Sequence, residues 1–260
     1  SRKLVSKRKP MVKRTLICCK FTTSLIKLII IDIIMKKVFV LAVVASAFIV
    51  SCQRAASDQS TTSAPQEVAA EKGATYTVNK EASNLKWTGY HKGGLNPRFG
   101  IMKSDGTLSA ENGLITGGSF VIDMNSVLTD AASVDPASSG GKTSADLDLH
   151  LKNADFFDVA KYPTAKFEIT SVKSFDAATD KSAIADANFV ISGNLTIKEK
   201  TVNVTFPAKA VVSDTEIALT SKFTINRQDW GLVYGTDGDA KDWMISQEID
   251  IELNIKGNKS

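Results

Sequence analysis

The 260 residues carry 32 Lys or Arg against 28 Asp or Glu, a formal charge of +4. That excess sits at one end: residues 1–52 hold 11 basic residues and one acidic residue, Asp32, so the remainder is net −6. A chain that is acidic over its larger part, with no Lys/Arg stripe after residue 73, lacks the basic face that phosphates require, and no nucleic-acid partner is expected. The three cysteines are Cys18, Cys19 and Cys52. None lies beyond residue 52, which excludes a disulfide framework or a Cys metal site in the folded part.

Residues 1–34 read as an over-extension upstream of a start at Met35. Their apolar stretch, 21–34, is interrupted by Lys27 and by Asp32, which would cost ~3 kcal/mol at a bilayer centre. Residues 35–52 read as a lipoprotein signal peptide. Met35-Lys36-Lys37 is a short positive segment, and 38–50 is an apolar run too short for a span, which needs ~20 residues. The run ends Ile49-Val50-Ser51-Cys52 and resembles a bacterial lipobox, with small residues admitting a peptidase to the bond before Cys52. Acyl chains on Cys52, at ~0.8 kcal/mol per buried CH₂, would hold the protein to a membrane. The alternative is an ordinary signal peptide or signal anchor with an incidental cysteine. Residues 53–72, rich in Ala, Ser, Thr and Gln and without an aromatic, read as a flexible tether.

Residues 73–260 are long enough for one domain with a substantial core. Their dominant signal is period two. Tyr76 and Val78 open one strand, and Leu85, Trp87 and Gly89 share a face of the next. Residues 99–108 read as a strand broken at Ser104-Asp105-Gly106. A turn at Glu111-Asn112-Gly113 leads to a strand with Phe120, Ile122 and Met124 on one face. Residues 126–143 are a Ser/Gly loop. Thr143-Ser144 would cap a short helix over 145–151, and 153–158 read as another helical turn before Tyr162-Pro163. Strands then resume around Phe167 and Ile169, Phe189 and Ile191, Val202 to Phe206, Ile217 to Ile225, and Trp243 to Ile255. Gly193, inside one of them, suggests a bulge or bend. Eight or nine short-turned strands with one helical interruption predict an antiparallel barrel or sandwich.

Four motifs carry a family resemblance. D-x-H-L-K-N-A-D-F-F-D-V-x-K-Y-P-T-A-x-F at 148–167 resembles the central signature of the YceI-like family. G-N-L-T-I-K-x-K-T at 193–201 with V-x-F-P at 204–207, F-x-I-N-R-x-D-W-G at 223–231, and the apolar closing strand follow in the family's order. The likeness covers about 74–257. It implies an all-β fold: an extended, eight-stranded, antiparallel, lipocalin-like β-barrel with a short helical insertion and a tunnel for a polyisoprenoid or similar long lipid. One departure is that Ala82-Ser83 stands where relatives often have His-Ser; His91 lies further on.

The expected function is an envelope lipoprotein that binds, carries or sequesters such a lipid, anchored through Cys52 and facing the periplasm or exterior. No cofactor, metal or catalysis is expected; partners are a long-chain isoprenoid or fatty lipid and the membrane, and a homodimer is compatible. Candidate tunnel residues are Phe120, Ile122, Met124, Phe156, Phe157, Phe167, Ile169, Phe189, Ile191 and Phe223. His150 either meets a head group or ties the helical joint in place. Arg227 suits a pyrophosphate, or pairs with Asp155 or Asp158. Asp237, Asp239 and Asp242 do not follow the order of a calcium loop. Two other functions stay open: a structural or stress-related barrel with a filled interior, and an envelope hydrolase built on a His150–Asp148 dyad. Against the latter, no G-x-S-x-G, H-E-x-x-H or phosphate loop occurs.

Overall fold

The computed structural model describes residues 57–236 and 245–260, and residues 54–260 form one compact unit. The Cys52 reading, the signal segment and the 237–242 aspartates lie outside the described residues. Eleven strands occur among the described residues: β1 Asp58–Gln59, β2 Thr61–Ser63, β3 Ala74–Val78, β4 Asn84–His91, β5 Leu95–Glu111, β6 Leu114–Thr129, β7 Thr164–Ser174, β8 Phe189–Ile197, β9 Lys200–Val212, β10 Glu216–Asn226 and β11 Ile245–Lys259. Among the described residues one α-helix, α1 Ser144–Lys152, stands between β6 and β7.

β3 and β4 both pair with β5 on one side and β11 on the other, so together they make one stave of the wall. With β5 to β11 in sequence this gives the closed eight-stranded antiparallel barrel expected from the sequence. Alternation explains the faces: apolar residues at every second position turn inward and bury together, while polar neighbours face out. β5 is continuous through Ser104-Asp105-Gly106, correcting the expected break. The ladder to β6 slips between Ile101 and Lys103, and Gly106 takes φ 158°, so the strand bends and keeps pairing.

The helix begins as its cap predicts. Thr143 accepts from the Asp146 N–H, and the Asp146 carboxylate accepts from the Thr143 N–H, a reciprocal capping box. It stops at Asn153. Residues 153–158 are turns and not a further helical turn, because the Phe156 and Asp158 N–H groups both bond back to the Asn153 carbonyl.

The tether expectation fails from Ser57 onward. Residues 57–72 lie against the outside of the barrel. β1 pairs with β10 at Phe223 and Thr224, and β2 pairs with β9 at Asn203 to Thr205. These two strands meet each other directly over only four positions, Ile217↔Val212 to Thr220↔Lys209. Pro207 has no N–H for a ladder, and beyond it the edges of β9 and β10 separate. Asp58 to Ser63 fill that opening, with the Ser60 N–H and Oγ both donating to the Thr224 carbonyl at 3.0 and 2.6 Å. The strap then crosses β8, where Asn194 accepts from the Gln66 N–H and donates to its carbonyl. It ends beside β5 and β6, where Glu71 accepts from Ser109 and the Lys72 carbonyl accepts from Thr116. A polar segment without aromatics is held here by hydrogen bonds to sheet edges, a term its composition does not report.

Candidate functional site

The inward faces of the strands do not meet along the whole barrel. At the end near α1 they enclose an apolar cavity of about 630 Å³, within the ~300–1,000 Å³ usual for ligand pockets. Phe120, Ile122, Met124, Phe156, Phe157, Phe167, Ile169, Ile191 and Phe223 line it, with His150 and Arg227. Phe189 does not. It shares the face of Ile191 but stands at the start of β8, opposite Ser174 and Ala208, in the apolar cluster with Tyr76, Leu108 and Ile217 and beside a separate, smaller pocket. Its place as a tunnel residue is corrected to one of core packing, because alternation fixes a side chain's face and says nothing of its height along the barrel.

The cavity stays open because its rings lie along the wall. Phe120 and Phe167 are cross-strand partners with centroids 6.4 Å apart; Phe167 reaches Phe206 at 5.9 Å, and Phe206 stacks on Phe223 at 4.1 Å. Phe167 can pass over β8 only because residue 193 is glycine: a Cβ there would stand 2.2 Å from its Cζ. The ladder between β7 and β8 also slips between Ile169 and Ser171, opposite that glycine, which puts the expected irregularity in β7.

The mouth is built from α1, the turn after it and the ends of β4 and β10. His150 sits edge-on to Tyr234, with centroids 4.6 Å apart, and faces Phe156 at 6.1 Å; its Nδ1 is 4.0 Å from Asp155. Asp148 turns to β6, where its Oδ1 accepts from the Thr129 N–H at 2.8 Å and the Thr129 hydroxyl at 2.6 Å. The helix is thereby pinned to the wall, and that carboxylate oxygen is engaged away from the dyad the hydrolase reading requires.

Arg227 is 2 % exposed. Its partners are main-chain carbonyls, not Asp155 or Asp158: Nε donates to Ser246 at 3.0 Å, Nη2 to Ile245 at 3.1 Å, and Nη1 to Leu232. The guanidinium lies 5.9 Å from the Phe156 ring centroid, and burial lowers its pKa. It clamps the turn after β10 to the start of β11, and it also lines the cavity. His91, another mouth residue, has its pKa lowered by burial first and by the Arg98 charge second.

Further wall residues went unnoticed in the sequence as site candidates: Trp87, Phe206, Leu195, Ile225, Tyr234, and Ile249, Ile251 and Leu253 of the last strand. All but Tyr234 lie on strand faces whose alternation was visible. Tyr234 follows a glycine turn and carried no signal. Among the described residues no group of three His, Cys, Asp or Glu is placed to hold a metal.

The model of the YceI-like domain matches residues 76–257. A UPF0312 protein of Pseudomonas putida strain F1 is 34 % identical over 121 residues, 44 % of this chain and 55 % of that protein, so the chain spans about half the length of that relative. A UPF0312 protein of Pseudomonas aeruginosa strain LESB58 is 30 % identical over 147 residues, 54 % of this chain and 69 % of that one. Among solved structures, a polyisoprenoid binding domain from Saccharophagus degradans, implicated in plant cell wall breakdown, aligns over 73 % of this chain and all of its own with a TM-score of 0.50 and 18 % identity. That identity carries the fold and nothing finer. With a family model matched over most of its length and the closed barrel in place, the chain belongs to the YceI-like family.

Proposed function

We propose that this barrel binds a polyisoprenoid or similar long-chain lipid and carries or sequesters it in the cell envelope without catalysing a reaction on it. The observation that carries the reading is the apolar cavity of about 630 Å³ behind a mouth that holds most of the site's polar groups. Burial at ~25 cal/mol per Å² gives a long chain ample driving force even after its ordering cost. His150 and Arg227 at the mouth would face its polar end. Lipidation at Cys52 would tether the barrel to a membrane, facing the periplasm or exterior, where such a lipid resides. The cavity speaks against the filled-barrel alternative. Purified residues 54–260 should yield a long-chain lipid on organic extraction and mass spectrometry, or take up added polyprenol. Repeated recovery of empty protein that also refuses added polyprenol would defeat the reading.

A further inference from the structure

Large apolar side chains are exposed at three places around the mouth. Leu95, which opens β5, is 63 % exposed; Leu149 on α1 is 66 % exposed, and Val233 in the turn after β10 is 58 % exposed. Contacts join them into one rim. Leu95 is the cross-strand partner of His91, His91 pairs with Ile245, and the Ile245 N–H donates to the Gly235 carbonyl at 2.7 Å, two residues from Val233. On the other side Tyr234 meets His150, the neighbour of Leu149, with ring centroids 4.6 Å apart. Exposed aliphatics scattered singly are ordinary, but a set of them gathered around a cavity opening marks an interaction surface.

Chain length selects what covers this rim. The strap enters the wall at Asp58, opposite Phe223 of β10. Six residue steps separate Asp58 from Cys52, the lipidation site of the reading above, and they span at most ~20 Å. The mouth end of β10, at Asn226, is three residues from Phe223, and the opposite end, at Glu216, is seven; at strand rise these are ~10 and ~23 Å. An anchor at Cys52 therefore reaches the plane of the mouth with length to spare and falls short of the opposite end. Charge selects no partner, because Lys142 stands near Asp146 and Arg98 near Asp135, so the rim carries both signs. We propose that Leu95, Leu149 and Val233 insert into a lipid bilayer and hold the mouth against the membrane that carries the anchor. This rests on anchorage at Cys52 and goes beyond it by naming the surface that faces the bilayer, which lets a long lipid pass between membrane and cavity without crossing water.

Residues 52–260 contain Cys52 as their single cysteine, and 54–260 form one compact unit. Coupled through that thiol to a maleimide lipid in phosphatidylcholine nanodiscs, the protein is anchored whether or not a cell acylates it. Nitroxides on the lipid head groups then report which Leu and Val methyl groups, labelled with ¹³C, approach the bilayer. Leu95, Leu149 and Val233 should lose their signals to paramagnetic broadening, while Leu114 and Val211, exposed at the opposite end, keep theirs. Replacing half of the phosphatidylcholine by phosphatidylglycerol should change nothing. Leu95→Gln with Val233→Gln should weaken docking about tenfold for each side chain withdrawn and restore the Leu149 signal. Retention of every signal, equal loss at both ends, loss at Leu114 and Val211 alone, or docking only on the anionic discs would overturn the assignment. If the double variant does not fold, the wild-type pattern still decides. The discs hold no polyprenol, so a cavity that refuses polyprenol would sink the cargo reading and leave this result standing. Native protein without acyl groups on Cys52, read from its intact mass, would bring down the anchorage and the docking with it.

Discussion

At the α1 end of the barrel the strands leave about 630 Å³ empty; that cavity does not reach the Phe189 end, where side chains pack more closely and a smaller, separate pocket of about 360 Å³ opens beside β6, β7 and the strap. The two ends use similar side chains. The closer-packed end sets Tyr76, Leu108, Ile217 and Phe189 among Ala110, Ala208 and Ala210, so that large and small residues interdigitate across the axis. The hollow end has more aromatic bulk, in Phe120, Phe167, Phe206 and Phe223, yet those rings run along the wall in a chain of close contacts. Ring orientation, more than side-chain volume, decides which end is hollow, and Gly193 is the residue that permits the orientation.

The largest effect should come from the clamp that frames the open end. Arg227→Met removes a buried cation and leaves the carbonyls of Ser246, Ile245 and Leu232 without its donors. A buried acceptor left without its donor costs about 1–3 kcal/mol, so the three carbonyls together should lower the unfolding free energy from urea titration by several kcal/mol. A loss below ~1 kcal/mol would mean that other donors take over these carbonyls and that Arg227 serves the cavity more than the clamp.

Truncating one phenylalanine at each end sharpens the comparison. Phe189→Ala hollows the closer-packed end and should cost about 3 kcal/mol, in the range of buried Phe truncations, while lipid uptake stays unchanged. Phe120→Ala should cost less than half of that. Its ring already faces empty space and forfeits fewer dispersion contacts, but lipid uptake should change because the cavity wall moves. Equal costs at the two positions would show that the cavity end is as tightly packed as the other.

Gly193→Ala addresses the hollow end alone. The new Cβ overlaps the Phe167 ring, which must leave the wall and swing into the cavity. Overpacking of this kind costs about 1–3 kcal/mol, and the displaced ring should reduce bound lipid per protein more than it reduces stability. Unchanged lipid content, measured by extraction, would show that the ring finds another place on the wall.

Much of this fold was legible because period two is a property of the strands themselves. The faces of β6 to β11 follow from alternation, and the start of α1 follows from Thr143 and Asp146. The difference between the ends was not legible: Phe189 and Ile191 are identical in pattern, as are Ile217 and Leu219, and only their height relative to neighbouring strands separates core from cavity. The strap was hidden for another reason. Residues 57–72 bring little apolar surface, and their attachment depends on edges that β9 and β10 expose only after folding. The signal that existed lay in β8 and β9, where Asn194 and Asn203 are outward-facing yet buried, joined to each other at 3.0 Å and, through Asn194, to Gln66. Arg227 was visible as a site residue, but its carbonyl partners come from a turn and a strand start that carry no side-chain pattern.

The smallest expected effect concerns acid and the mouth. His91 lines the cavity, with Asn96 Nδ2 at 3.2 Å from its Nδ1, and burial together with Arg98 holds its pKa below the ordinary value. The folded protein therefore binds a proton at this site less readily than the unfolded chain does. Stability from this group is fully present above the unfolded histidine pKa of ~6.5. It is lost as the pH falls through that value toward the lower folded one, because the unfolded state takes up the proton first. His91→Gln keeps a polar side chain of similar reach and removes the titration, so its urea midpoint should fall less steeply than that of the wild type on going from about pH 7 to pH 5. Parallel profiles would show that the mouth is wet enough for His91 to titrate as it does in the unfolded chain. In that case the dry part of the cavity begins deeper along β4, nearer Trp87.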